Sequence, residues 1–135
     1  MPITLANGRQ APLVASVDFT YADLVDNTAE PAVQLPANAI VVAGGLTVTT
    51  VWNSATTDVI DIGDGGTANR YTPTPIDVAV LGYVPIDVSG YKYTVSDTVD
   101  IKWNGTGTAP TTGAARLQIW YIVEGRAMEN QPVRL

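Results

Sequence analysis

Short stretches of alternating apolar and polar residues, separated by turn-forming residues about every ten positions, most constrain the fold of this chain. A period of two is that of a β-strand with one buried face. The stretch 12–21, for example, places Leu13, Ala15, Val17 and Phe19 on one face. Eight to ten such strands can be counted, and no segment shows a sustained helical period. The pattern is typical of a β-sandwich, jelly roll or barrel, and we expect an all-β, antiparallel, jelly-roll-like sandwich.

The length of 135 residues favours one domain. We expect the sandwich to span residues 11–124, with an extended N-terminal arm at 1–10 and a C-terminal tail at 125–135. Gly44-Gly45 and Asn104-Gly105 are sequences of the kind found in tight hairpin turns. We therefore expect strands to end at both places.

The last predicted strand, 114–124, carries more apolar surface than one buried face needs. One face holds Leu117, Ile119, Tyr121 and Val123. The other face holds Trp120 and Ile122 between polar residues. Because successive side chains point to opposite sides of a strand, both sets cannot enter the same core. The outward Trp120–Ile122 pair indicates a second layer or a partner, and makes these two residues interface candidates.

Composition removes several classes of function. The chain has no Cys and no His, so thiolate chemistry is excluded and the side chain most often used near neutral pH as base, acid or metal ligand is missing. The acids fall in loops or on outward strand positions, with Asp100 facing out beside the inward Ile101. No carboxylate is expected in an apolar setting that would raise its pKa. We therefore expect no enzyme and no cofactor.

Charge and hydropathy also narrow the partners. The net charge is −6, and all of it resides in residues 1–67, since residues 68–135 hold six acids and six bases. Such a chain does not attract a phosphate backbone, so no nucleic acid is expected. No apolar run approaches the roughly 20 residues of a membrane span, and no secretion signal is recognisable. We expect no membrane partner and assembly in a cytoplasm.

One group of acids has the composition of a metal site. Asp58, Asp61 and Asp64 are spaced three apart and precede Gly65-Gly66, and carboxylates on a flexible loop can bind calcium. The spacing does not fit an EF-hand, and Asp58 and Asp61 would point to opposite faces of a strand. Solvated charge before a turn is the favoured interpretation, with calcium as the alternative.

Aromatic and basic residues provide the remaining candidates. Trp52 and Trp103 fall on core faces of their strands, whereas Trp120 is placed to meet a partner. Joined by Tyr71, Tyr83 or Tyr91, Trp120 would form a platform on which sugars stack. In the tail, Arg126 and Arg134 face only Glu129, so the tail is either solvated or docked on an acidic neighbour.

Three segments, 35–54, 62–71 and 90–125, resemble in their order of turns and strands the decoration or cement proteins of tailed bacteriophages. The likeness includes the Asp-Gly-Gly to Arg-Tyr step at 64–71 and the Gly-Thr-Gly loop at 105–107. None of these is a catalytic motif. The resemblance implies a β-sandwich on the capsid exterior, assembled in the host cytoplasm, that self-associates as a dimer or trimer and bridges subunits of the major capsid protein. The alternative is a carbohydrate- or receptor-binding β module of a phage tail or fibre.

Overall fold

Ten β-strands and a short 3-10 turn (Tyr21–Asp23) form the regular structure of the residues that the computed structural model describes, which are 3–4, 8–126 and 129–130. No helix among those residues has the length and apolar character needed to cross a membrane. The strands are β1 (Gly8–Arg9), β2 (Leu13–Thr20), β3 (Thr28–Leu35), β4 (Ala39–Thr50), β5 (Thr57–Gly63), β6 (Ile76–Asp77), β7 (Gly82–Pro85), β8 (Asp97–Thr106), β9 (Ala114–Val123) and β10 (Glu129–Asn130).

Eight of these strands form two four-stranded antiparallel sheets. Sheet one has the order β2-β9-β4-β7 and sheet two the order β3-β8-β5-β6. The pairs β2·β9, β3·β8, β4·β7 and β5·β6 are nested, as in one long hairpin whose two arms have been rolled up together. This is the arrangement of a jelly roll, and the predicted all-β, jelly-roll-like sandwich is confirmed.

The two ends of the chain continue the nested pattern. β1 pairs antiparallel with β10, so the described parts of the N-terminal arm and the C-terminal tail lie side by side. Between this pair and sheet one, the Gln10 side chain makes the two hydrogen bonds to the Val123 backbone that a neighbouring strand would otherwise make. Its amide donates to the Val123 carbonyl at 2.7 Å and its carbonyl accepts from the Val123 N–H at 3.0 Å.

The core lies between the two sheets and consists of the inward face of each strand. Side chains from both sheets are fully buried there, including Leu46, Leu117 and Ile119 from sheet one and Ile60, Ile62 and Val99 from sheet two. Trp52 and Trp103, predicted to face the core, are 2% and 8% exposed. Burial of these large apolar side chains is the main force that holds the two sheets together.

Two predicted turns are wrong. Gly44-Gly45 lies inside β4 and Asn104-Gly105 lies inside β8. In both strands the glycine makes room for an aromatic ring on the strand surface. A Cβ on Gly45 would lie 2.4 Å from the Tyr83 ring, and a Cβ on Gly105 would lie 2.3 Å from the Trp103 ring. Glycine inside a strand therefore marks close approach here, not a change of direction.

Strand β9 is expected to present one face to the core and the other to solvent, and substitutions on the two faces test this orientation. We expect Leu117→Ala to lower the free energy of unfolding by about 2–5 kcal/mol, because it leaves a cavity in the core. Trp120→Ala, three residues along, should cost clearly less because nearly half of that ring is already in solvent. Urea unfolding of the two variants makes the comparison. Equal losses would mean that β9 does not present one face to the core and the other to solvent.

Candidate interaction surface

Strand β9 lies in the middle of sheet one, between β2 and β4, and it presents the predicted surplus apolar residues to solvent. Leu117 and Ile119 are fully buried, while Trp120 is 45% exposed and Ile122 is half-buried. The sequence-based assignment is therefore confirmed for Leu117, Ile119 and Trp120, whereas Tyr121, Ile122 and Val123 at the end of the strand are all half-buried.

Neighbouring strands extend the apolar surface around Trp120. On one side Val14 of β2 lies directly opposite Trp120, and on the other Ile40 of β4 lies opposite Ile122. A bulge between Val41 and Ala43 leaves Val42 exposed beside them. We call Val14, Ile40, Val42, Trp120 and Ile122 the Trp120 patch. Paired strands lie about 5 Å apart, so side chains on the same face of neighbouring strands are adjacent. The five side chains therefore form one continuous apolar region on the outer face of sheet one.

Each end of the Trp120 patch carries an ion pair. At one end Arg116 Nε donates to Asp18 Oδ1 at 2.8 Å, and at the other Lys92 Nζ donates to Glu124 Oε1 at 3.2 Å. The four side chains are between 39% and 74% exposed, so the pairs add little to stability. Their effect is electrostatic. In each pair the positive side chain neutralises the negative one, so the surface around Trp120 has a net charge close to zero.

The opposite face of the molecule has a different character. The outward positions of sheet two hold Asp61 and Asp77 against one base, Lys102, which pairs in register with Asp61. The face is polar and acidic. The sandwich therefore has one apolar, neutral outer face and one acidic outer face.

The three candidate calcium ligands point to different parts of the structure. Asp58 is buried and accepts hydrogen bonds from the Ser54 N–H, the Ser54 hydroxyl and Trp103 Nε1 at 2.7–3.0 Å. Asp61 accepts from the Thr72 hydroxyl at 3.3 Å, and Asp64 is the partner of Arg70. Among residues 3–4, 8–126 and 129–130, no group of three or more acidic side chains is placed to hold a metal ion.

Asp64 anchors the loop between β5 and β6. Its carboxylate accepts from Arg70 Nε, from the N–H groups of Gly66 and Thr67, and from the Tyr93 hydroxyl at 2.7 Å. Burial favours the neutral acid, but the hydrogen bonds from Arg70, Tyr93 and Thr67 together with the Arg70 charge hold the pKa of Asp64 below its ordinary value. The buried carboxylate is therefore ionised and paired.

The Tyr93 hydroxyl continues this network into the core. Because its one proton goes to Asp64, the Tyr71 hydroxyl is the donor in the 2.7 Å contact between the two tyrosines. Burial raises the pKa of Tyr93, so the phenol stays protonated and remains a donor. The network fixes the loop to the end of the sandwich, and it is a structural feature that the sequence did not indicate.

Asp100 corrects a sequence-based expectation. It was placed on an outward position, yet it is 9% exposed, because it lies opposite Pro31 and Gly63 at the foot of the loop that Asp64 anchors. Burial raises the pKa of Asp100, and the charges of Asp97 and Asp64 raise it further, against a hydrogen bond from the Thr98 hydroxyl. The expectation that no carboxylate has a raised pKa is therefore wrong.

The three tyrosines predicted to join Trp120 in a sugar platform lie in different places. Tyr71 is 1% exposed and belongs to the core. The Tyr91 ring is covered by the Arg70 guanidinium, 3.7 Å from the ring centroid, and contacts Tyr93 edge to face. Tyr83 shares the outer face of sheet one with Trp120, but its hydroxyl bonds to the Gly44 carbonyl as its ring covers Gly45.

The basic tail is described only in part. Arg126 is exposed at the end of β9, where its N–H donates to the Val123 carbonyl at 3.1 Å. Arg134 lies outside the described residues. Sequence reasoning also missed Val14, Ile40 and Val42, because they join the patch only through strand pairings that a single sequence does not reveal.

Comparison with known proteins gives a likeness of fold. No protein-family model matches this sequence, and no curated protein matches it. Similar solved structures include a chain from the acidic stable capsid of Helicobacter pylori bacteriophage KHP30, with a TM-score of 0.61 and 20% identity over 87% of this chain and 95% of that chain. A chain from the capsid asymmetric unit of cyanophage Pam1 has a TM-score of 0.60 and 24% identity over 91% of each chain. A chain from the capsid of Ralstonia phage GP4 has a TM-score of 0.58 and 20% identity over 93% of this chain and 91% of that chain.

Asp64 and Asp100 should give opposite dependences of stability on pH. The pKa of Asp64 is lowered on folding, so its contribution is complete above the unfolded pKa and is lost as pH falls through the folded pKa. The pKa of Asp100 is raised, so its ionisation opposes folding above the folded pKa, and this penalty disappears in acid.

Asparagine substitutions measure the two effects separately. We expect Asp64→Asn to lower the free energy of unfolding by about 3 kcal/mol at neutral pH, because Arg70 loses its buried partner. Asp100→Asn should be neutral or stabilising at neutral pH, with any gain fading in acid. Urea unfolding across the acid-to-neutral range checks both. A neutral-pH loss for Asp100→Asn as large as that for Asp64→Asn would contradict the assignment.

Proposed function

We propose that this chain is a virion structural protein that decorates the capsid of a tailed phage and bridges subunits of the major capsid protein. The observation that carries the proposal is the likeness of fold, over 87–93% of this chain, to chains of three phage capsids. The independent resemblance of its turn and strand order to decoration proteins supports the same role. The location we propose is the exterior of the capsid.

A decoration protein works by binding, and the distribution of polar groups in this chain fits that role. Asp58 and Asp64, the most buried carboxylates, are fully engaged in hydrogen bonds that hold loops in place. The exposed apolar surface that we assign to binding is the Trp120 patch, at the centre of sheet one. A protein that binds the closed shell and not its free subunits shifts the equilibrium toward the shell by mass action. Self-association as a dimer or trimer would add avidity, because several copies then attach together.

The terminal arms are the second means of attachment that we propose. Their described residues pair with each other in β1 and β10, and the exposed Arg126 precedes β10 in the chain. Arg126 and Arg134 would give this end of the molecule a basic character suited to an acidic neighbour. In this arrangement the sandwich provides a rigid body and the arms extend the contact area.

Addition of the purified chain to phage heads assembled without it is the test of the function. We expect the chain to co-sediment with such heads to a saturating stoichiometry and to raise the temperature at which they disrupt. A wild-type chain that folds and self-associates but leaves the heads bare would remove the decoration role.

The substitution Trp120→Asp tests whether the Trp120 patch is used for self-association and for binding to heads. We expect it to abolish self-association and to reduce occupancy on heads at least about tenfold, because it places an unpaired carboxylate at the centre of a surface that binding would desolvate. Sedimentation velocity and co-sedimentation with heads provide the measurements. Val95→Asp is the matched control, since Val95 is an exposed valine outside the patch. Normal association and occupancy of Trp120→Asp would show that the patch is not used.

A further inference from the structure

Charge decides which partner fits the Trp120 patch. Two copies of a chain with net charge −6 repel each other unless they meet where charge is cancelled. The outer face of sheet two is less suited, because it carries an excess of acid, with Asp61 and Asp77 against the single base Lys102. The outer face of sheet one is better suited, because its charged residues are closed into Arg116–Asp18 and Lys92–Glu124 pairs around an apolar centre. A basic partner would instead be drawn to the acidic face, so the neutral patch fits a second copy of this chain.

The order of charges along β9 then selects the symmetry. Arg116 and Glu124 lie on the outward face, four residues to either side of Trp120. If two copies were related by a two-fold axis parallel to β9, Arg116 of one copy would face Arg116 of the other. The two Glu124 side chains would face each other in the same way. If the axis crosses β9 at Trp120, the two strands run antiparallel and Arg116 of each copy faces Glu124 of the other. Because like charges across an interface are strongly disfavoured, the second arrangement is the stable one.

We infer that the Trp120 patch is the contact surface of a two-fold symmetric dimer in which β9 of one copy packs antiparallel on β9 of the other, with Trp120 at the axis. This inference rests on the proposed function, in which self-association multiplies the attachment of each copy. Trp120 and Val14 meet their own symmetry mates, which is the self-complementary contact that a two-fold interface requires.

Charged residues then form a continuous row across each end of the interface. The Arg116 guanidinium has five N–H donors and binds Asp18 through Nε in the single copy. In the dimer its remaining donors reach Glu124 of the second copy, which is itself paired with Lys92. The charges along this row alternate in sign, in the order Asp18 and Arg116 of one copy, then Glu124 and Lys92 of the other. A rim of paired charges therefore surrounds the apolar centre of the interface.

Two charge reversals test both the partner and the symmetry. Arg116→Glu brings two glutamates together at both ends of the homodimer, and Glu124→Lys brings Arg116 and a lysine together at both ends. Each variant should dimerise at least about tenfold more weakly than wild type. When the two variants are mixed, each end of the mixed dimer pairs one acid with one base. The mixture should therefore recover an affinity close to that of wild type, although neither variant associates alone.

Sedimentation equilibrium of each variant, of their mixture and of wild type gives the dissociation constants. Lys102→Glu is the control, because it reverses a charge on the outer face of sheet two and should leave dimerisation unchanged. Unfolding midpoints of all variants establish that the changes act on association. A wild-type chain that is a monomer or a trimer would overturn the inference, as would a mixture that associates no better than its components.

Heads assembled without the chain separate this result from the proposed function. A wild-type monomer that nevertheless saturates the heads would refute the two-fold dimer and leave the decoration role standing. A dimer that responds to the charge reversals as expected but leaves the heads bare would refute the decoration role and leave the dimer standing.

Discussion

The position of β9 between β2 and β4 is the constraint on which the rest of the molecule depends. Nested pairing brings the last strand of the sandwich, Ala114–Val123, into the middle of sheet one, where it bonds along both edges. Strand alternation then sends Leu117 and Ile119 into the core and leaves Trp120 and Ile122 on the outside. The same strand therefore closes the core and supplies the centre of the proposed interface. Because its partners β2 and β4 are far away in sequence, this surface exists only in the folded chain.

The two outer faces divide the molecule by charge. The acids of sheet two and of the loops give the net charge of −6, whereas the face around Trp120 is neutral because its bases are paired with Asp18 and Glu124. Asp64 lies away from both faces and fixes the β5–β6 loop through Arg70 and Tyr93. The buried Asp64–Arg70 pair thus stabilises the scaffold, and the surface charges determine which partners each outer face can bind.

Alternation in the sequence predicted most of the strands, the buried Leu117 and Ile119 and the outward Trp120, because burial follows directly from the period of two. It failed at Gly44-Gly45 and Gly105, where glycine accommodates a ring from a neighbouring position instead of forming a turn. It also failed at Asp100, whose burial depends on the loop anchored by Asp64 and not on its own strand. Val14, Ile40 and Val42 were missed for the same reason, since only strand register brings them beside Trp120. The alternation of apolar and polar residues therefore predicts where strands form. Which residues make up the Trp120 patch depends on the pairing of strands that are distant in sequence.

Acrylamide quenching of tryptophan fluorescence at increasing protein concentration tests whether self-association buries the Trp120 patch. The chain has three tryptophans, of which Trp52 and Trp103 are buried and Trp120 is 45% exposed, so the accessible signal belongs to Trp120. We expect the quenchable fraction to disappear over the concentration range in which the solution mass rises above that of one chain. A rise in mass with Trp120 still fully quenchable would show that the chain associates through another surface.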